Sequence, residues 1–188
     1  MTFATAMKLN FDGCEVEVDF IGWHSKEDVA GDKVKEPLLI IGETKSMGKG
    51  DLIKPRDLTQ LKLAATKLPE CIIVIGVMRE EFTANEKKRL ASFVRWASRL
   101  NKVKSPTNPV ILLTSRELFA DYDIHAAWEK LGGVYKEHSD FHSLRNLYEF
   151  ARSTQAIHLT GLQKERGRRR VGAKVDVVAF ADNPHRGE

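Results

Sequence analysis

The sequence predicts a single α/β domain built around a mixed β-sheet. Three features lead to this fold class: a strict alternation of polar and apolar residues near the start of the chain, two short apolar runs typical of buried strands, and amphipathic helical patterns between and after them. The predicted order of strand, strand, helix and strand is the skeleton of an α/β domain. The 188 residues are enough for one hydrophobic core, so one domain is expected.

The first two predicted strands differ in pattern. Residues 14–23 begin with strict alternation, which predicts a strand with one buried face. Residues 38–41 are continuously apolar, which predicts a central strand. In the first strand the apolar face holds Cys14, Val16, Val18 and Phe20, and the polar face holds Glu15, Glu17 and Asp19.

The later elements follow from helix signals and further apolar runs. A helix with an apolar face from Leu58 to Leu68 should end at Pro69 and lead into a strand over residues 72–77. Thr83 and Glu86 have the spacing of a capping box, which predicts the start of a second amphipathic helix. Beyond it we expect a strand over residues 109–113, a short helix over 124–131 ended by Gly132, and a last helix from 141 to about 158.

The charge and cysteine content narrow the classes of protein that fit. The chain has 30 Lys and Arg residues against 26 Asp and Glu, a net charge of +4, so any affinity for phosphate must come from local basic clusters. Cys14 and Cys71 lack the spacing of a disulfide framework or a zinc site. No apolar run reaches the roughly 20 residues of a membrane span, so we expect a cytoplasmic protein without a membrane partner.

The composition becomes strongly basic after residue 160. We therefore expect a folded domain over residues 1–160 and a basic C-terminal arm or hairpin over 161–188, mobile relative to the domain. Six cations within eleven residues would give salt-dependent affinity for a phosphate backbone. They are Lys164, Arg166, Arg168, Arg169, Arg170 and Lys174.

Glu43 and Lys45 carry the chemistry that the sequence indicates. They lie two residues apart on the predicted central strand, so their side chains share a face. Asp19 joins them if the strands are neighbours, and two close carboxylates then need a compensating cation. Hard oxygen ligands favour Mg²⁺ or Mn²⁺ over zinc. The alternative is a solvated ion pair on the surface of the sheet.

Three features together resemble the PD-(D/E)xK nuclease superfamily: Asp19 at a strand end, Gly42-Glu43-Thr44-Lys45 after an apolar strand, and Gln60 on the following helix. The stretch Asp57-Leu58-Thr59-Gln60-Leu61 is similar to the helix of its RecB-like and Cas4-like branches. The resemblance covers about residues 13–77. It implies a restriction-endonuclease-like fold, a three-layer α/β/α sandwich with a mixed central sheet.

The resemblance also implies a metal-dependent phosphodiesterase that hydrolyses DNA. Asp19, Glu43 and the Thr44 carbonyl would hold Mg²⁺ or Mn²⁺, Lys45 would stabilise developing charge, and Gln60 would position water or phosphate. Lys49, Lys54, Arg56 and Lys67 would follow the substrate backbone, together with Arg168, Arg169 and Arg170 in the arm.

The sequence leaves two other functions open. The chain is alternatively a non-catalytic DNA-binding module that keeps the fold but not the activity, or an RNA-processing nuclease with the same centre. A DNA nuclease of this kind would act in repair, recombination, restriction or phage defence. A homodimer is expected if both strands of a duplex are cut, and the chain is alternatively part of a larger polypeptide or complex.

Overall fold

The computed structural model describes residues 2–24, 38–46, 48, 51–68, 70–99, 108–120, 123–140 and 146–170. The strands are β1 (Thr2–Phe11), β2 (Cys14–His24), β3 (Leu38–Lys45), β4 (Ile72–Val77) and β5 (Val110–Leu113). The helices in the described part are α1 (Pro55–Lys67), α2 (Ala84–Ala97), α3 (Ser115–Leu118), α4 (Ile124–Leu131), α5 (Gly133–Glu137) and α6 (Leu147–Arg170). No helix among these residues is both long and apolar enough to cross a membrane.

The five strands form one mixed sheet in the order β1-β2-β3-β4-β5. β1, β2 and β3 are antiparallel neighbours, whereas β3, β4 and β5 are parallel. The α/β class with a mixed sheet is thus confirmed, and β2 and β3 are neighbours, which the predicted site required. The predicted β4 and α4 have the bounds that the structure shows.

β1 is an edge strand that the sequence analysis did not predict. It forms a hairpin with β2 through Asp12 and Gly13, whose φ values of 49° and 82° are both positive. Two positive φ values in a two-residue loop are typical of the type I′ turn, for which Asp-Gly is a preferred sequence. The dipeptide was the signal for this hairpin. The strict alternation of apolar and polar residues over 7–11 was a second signal.

Apolar residues pack on both faces of the sheet. On β3 and β4, Ile41 and Ile73 belong to the core under α1 and α2, while their neighbours Ile40 and Ile72 pack with Ala151 of α6. Adjacent strand residues point to opposite faces, so helical residues cover both faces. Yet Leu159, further along α6, packs in the first cluster. α6 therefore contacts both cores, and the three-layer sandwich stays a prediction.

The last helix differs from its predicted bounds. It runs from Leu147 to Arg170 instead of ending near residue 158, while residues 141–145 lie outside the described part. Gly161 costs only about 1 kcal/mol inside a helix, and the residues after it are mostly good helix formers. Residues 161–170 are therefore helical and not a hairpin, and a basic arm separate from the domain after residue 160 stays a prediction. Residues 171–188 lie outside the described part.

Candidate active site

β2 separates from β3 at Asp19, and the candidate site lies at this separation. The last residues paired at the C-terminal end of β3 are Phe20 and Gly42. Beyond them the Asp19 carboxylate replaces a backbone acceptor, because its Oδ2 accepts the Thr44 N–H at 2.6 Å and the Thr44 hydroxyl at 3.2 Å. These two bonds hold Asp19 beside the end of β3.

The backbone is distorted around Asp19. Ala6 of β1 lies between two residues paired with β2 and has a φ of 51°, a left-handed conformation that costs roughly 1–2 kcal/mol for a residue with a Cβ. β2 also changes its buried side here, since Val18 packs in the core under α1 while Phe20 packs on the opposite face. The prediction that Phe20 shares a face with Val18 is therefore wrong. Ala6 and Asp19 are accordingly the residues missing from the pairing of β1 with β2 at this point.

Glu43 and Lys45 project from the same face of β3, as strand parity predicts. The Lys45 ammonium donates to Glu43 Oε1, and the two side chains are only 15% and 9% exposed. Glu43 and Lys45 are therefore not a solvated ion pair on the surface of the sheet, which was the alternative interpretation. The pair lies instead in a partly buried position at the end of the strand, on either side of Thr44, to which Asp19 bonds.

Asp57 is a third acid beside Lys45, which the sequence analysis did not include. Its Oδ2 lies 3.4 Å from the Lys45 ammonium nitrogen, and its side chain is 14% exposed. The same oxygen accepts the backbone N–H of Lys54 at 2.7 Å and so caps the start of α1. The sequence shows that Asp57 is an acid in the first turn of a helix that follows Pro55. It does not show how close Asp57 lies to Lys45.

Burial and neighbouring charges set the ionisation of the pair. Burial raises the pKa of Glu43, the bond from Lys45 lowers it, and the charges of Asp19 and Asp57 add to the rise, so the net pKa is raised. Burial lowers the pKa of Lys45, but the bond to Glu43 and the three acidic charges outweigh it, and the net pKa is raised. Three acids thus surround one ammonium, an excess of negative charge that favours a bound cation.

The oxygen donors here suit a hard divalent cation. Among the described residues both bonds to Asp19 are received by Oδ2, which leaves Oδ1 for a cation. The N–H of Thr44 is directed towards β2, and the C=O of the same residue lies on the same side of the strand. Two carboxylates and a carbonyl fit Mg²⁺ or Mn²⁺, since such ions keep several waters. No group of three or more His, Cys, Asp or Glu side chains in the described part is arranged to hold a metal.

Gln60 bonds to β2 and not to the pair of Glu43 and Lys45. Its Oε1 accepts the N–H of Glu17 at 3.2 Å, which fixes α1 against the strand that carries Asp19. Among the described contacts none joins Gln60 to Glu43 or Lys45. The structure therefore brings together Asp19, Glu43 and Lys45. Gln60 is connected to them only through β2, the strand that carries Asp19.

The predicted phosphate contacts are only partly described. Lys54, Arg56 and Lys67 are exposed at or on α1. Arg56 and Lys67 are three helical turns apart in sequence spacing and share a face of the helix. Lys49 lies outside the described residues. Arg168, Arg169 and Arg170 have their backbone in α6, and their side chains lie outside the described part.

A groove between α1 and α2 adds basic residues that the sequence analysis did not single out. It has a volume of about 400 Å³ and begins at Pro55, in the helical turn that also carries Asp57. Its described lining includes three cations and no acid. The lining residues are Pro55, Leu58, Thr59, Lys62, Lys88, Arg89, Ser92 and Phe93.

Comparisons with known proteins add one structural similarity. The chain matches no protein-family model and no curated protein. Among solved structures it is similar to the MspJI restriction endonuclease in complex with a 27-mer oligonucleotide, at a TM-score of 0.36 and 15% sequence identity. The match covers 81% of this chain and 27% of that one, so the chain spans about a quarter of the length of that protein. The chain itself is an α/β protein with a five-stranded mixed sheet.

Proposed function

We propose that this chain is a divalent-metal-dependent nuclease of the restriction-endonuclease-like fold that hydrolyses DNA. The observation that carries the proposal is that, where β2 leaves β3, Asp19 bonds to Thr44, which lies between the paired Glu43 and Lys45, and that the charge of Asp19 acts on both side chains. Two acids from separate strands and one largely buried ammonium form an arrangement suited to a phosphodiester, whose own oxygens are anionic. Stabilising a sheet does not by itself require such a cluster, because burying charges is costly.

The chemistry follows from the needs of phosphodiester hydrolysis. Asp19, Glu43 and the Thr44 carbonyl would hold Mg²⁺ or Mn²⁺, which supplies charge neutralisation and a water of lowered pKa. Lys45 would donate to a phosphate oxygen where negative charge develops, and its partial burial strengthens that interaction. Gln60 would act through β2, by fixing the strand that carries Asp19.

The cations around α1 support a polyanionic substrate. Arg56 and Lys67 share the outer face of the helix, while Lys62 and Lys88 line the groove beside it. Charges of this kind neutralise backbone phosphates and make affinity fall with salt. Charge reversal at Lys62 or at Lys88, each made singly, should therefore weaken DNA binding and flatten its salt dependence. Lys87→Glu is the matched control, because Lys87 pairs with Glu81 at 3.6 Å and is not among the groove residues.

One observation favours a non-catalytic DNA-binding function as the second candidate. Glu43 is already bonded to Lys45, and no group of three metal-ligating side chains occurs in the described part of the chain. A degenerate site would keep such an internal pair permanently. In that case DNA would bind through the cations alone, and divalent metal would have no effect on the substrate.

Cleavage of a panel of substrates tests the proposal. Linear, circular, single-stranded and branched DNA, together with a matched RNA, are incubated with the chain in Mg²⁺, in Mn²⁺ and in chelator. Metal-dependent cleavage of DNA that is lost in Asp19→Asn supports the proposal. Glu17→Gln, an exposed acid two residues away on β2, should keep its activity. Uncut substrates in every condition would sink the nuclease proposal, and preferential cleavage of RNA would redirect it.

A further inference from the structure

Lys45 has two acidic partners that come from different elements of the fold. Glu43 precedes it by two residues on β3, whereas Asp57 reaches it from the first turn of α1. The ammonium is only 15% exposed, so it needs an anionic partner at all times. The two acids are not equivalent, because Glu43 is also proposed to hold the metal.

The position of Asp57 is fixed by its own backbone contacts. Its Oδ2 accepts the Lys54 N–H at 2.7 Å, and this same oxygen is the one 3.4 Å from the Lys45 ammonium. Pro55 occupies the start of the helix, where its fixed φ suits the first turn. Asp57 therefore presents an oxygen to Lys45 from a constrained position.

Two side chains of α2 fix the segment just before this helix. Ile53 is fully buried, its N–H donates to Glu86 Oε1 at 2.8 Å, and its C=O accepts from Arg89 at 2.8 Å. Glu86 is itself fully buried and is bonded to Arg79. Both backbone groups of Ile53 are thus satisfied by charged side chains from another helix. This arrangement sets where α1 begins, and with it the distance from Asp57 to Lys45.

We propose that Asp57 is a positioning residue that retains the Lys45 ammonium when Glu43 engages the metal. The inference rests on the proposed nuclease function. A cation at Glu43 competes with Lys45 for the same carboxylate and repels the ammonium. Asp57 is anchored independently of Glu43, so it keeps Lys45 paired and directed into the site. Asp57 acts through Lys45 and not as a ligand of the cation.

Binding of Mn²⁺ alone, measured by calorimetry, separates these two routes of action. Asp57→Asn removes the charge but keeps an oxygen for the Lys54 N–H. It should weaken Mn²⁺ binding about 10-fold, the lower end of the loss typical for residues that support metal ligands. In a Lys45→Met background there is no ammonium to retain, so the same substitution should change Mn²⁺ affinity by less than about 2-fold.

A matched control and a kinetic measurement complete the test. Asp51→Asn removes an acid from the same segment, but Asp51 bonds to Ser46 at 2.7 Å and interacts with Lys45 through its charge alone, so its effect should stay below about 3-fold. In DNA cleavage, Asp57→Asn should lower kcat about 10-fold and leave KM for DNA within about 2-fold, because it alters the ammonium and not substrate affinity.

The outcomes of the binding experiment distinguish this inference from the function on which it rests. Equal weakening by Asp57→Asn in both backgrounds, or no weakening in either, would overturn the positioning role while leaving the nuclease proposal intact. Failure of the unsubstituted chain to bind Mn²⁺ at all would overturn the metal site and this inference together. Weakening confined to the background that contains Lys45 supports the inference.

Discussion

Gly42 of β3 offers a sharp test of how the candidate site is built. A Cβ placed there would lie 2.1 Å from Cζ of Phe20 and 2.8 Å from the backbone oxygen of Val74, whereas ordinary contact begins at 3.4 Å. The Phe20 ring would have to retreat by 1.3 Å, the difference between those distances. Phe20 directly follows Asp19, so Gly42→Ala should disturb the site as well as the core.

The expected cost follows from this overlap. Overpacking a core by one methyl group typically costs about 1–3 kcal/mol, and the Val74 oxygen cannot move without distorting β4. We expect Gly42→Ala to lower the free energy of unfolding by about 2 kcal/mol, which corresponds to a urea midpoint lower by about 1 M. Urea unfolding followed by circular dichroism measures this shift.

Two further variants make the Gly42 prediction specific. Gly76→Ala lies on β4 opposite Thr44, and its Cβ would meet nothing closer than 3.5 Å, so stability should stay within about 0.5 kcal/mol. Combining Gly42→Ala with Phe20→Ala should cost less than the two single changes added together, by about 1 kcal/mol. A harmless Gly42→Ala, or strict additivity with Phe20→Ala, would refute the proposed packing of the ring on the glycine.

Three further predictions concern stability and reactivity. Glu86→Gln should lower the free energy of unfolding by about 3 kcal/mol, because it leaves Arg79 without its buried charge partner. Burial raises the pKa of Glu86, but its hydrogen bonds outweigh burial, so the net pKa is lowered. Below about pH 4.3 the unfolded chain therefore binds more protons than the folded one, and the free energy of unfolding falls as the pH is lowered. Glu86→Gln should make that fall shallower. Gln60→Ala should cost about 1 kcal/mol in urea unfolding through its lost bond to β2, and an unchanged midpoint would contradict this structural role. Burial raises the pKa of the Cys71 thiol to about 11, so a thiol reagent should label the exposed Cys14 in the folded protein and reach Cys71 only after unfolding, as mass spectrometry would show.

Elements with strong local signals were predictable from the sequence. The capping box of Thr83 and Glu86 starts α2 as expected, and the apolar run of β4 matches its observed bounds. β1 was missing from the prediction although residues 7–11 alternate between apolar and polar and Asp12-Gly13 is a turn signal; only the first half of the strand, with Ala4 and Ala6, departs from alternation. The end of α6 was misplaced because a glycine and a cluster of like charges indicated a boundary that the helix passes through.

The candidate site was predictable only in the part that depends on strand geometry. Glu43 and Lys45 share a face because strand side chains alternate, a rule that needs no tertiary information. Asp19 joins them through pairing of β2 with β3, which the sequence allowed but did not require. Asp57 reaches Lys45 because the segment before α1 bonds to Glu86, more than 30 residues away in sequence. Contacts of that range leave no local pattern.

Cleavage of DNA by Lys45→Ala tests whether the site of Asp19, Glu43 and Lys45 is the active centre of a nuclease. The variant is first shown to be folded and to bind DNA with unchanged salt dependence. We expect the unsubstituted chain to cut DNA when Mg²⁺ or Mn²⁺ is present, and Lys45→Ala to cut about 100- to 1000-fold more slowly. A folded Lys45→Ala that cuts at the full rate, or an unsubstituted chain that binds DNA and never cuts it with either metal, would contradict this expectation.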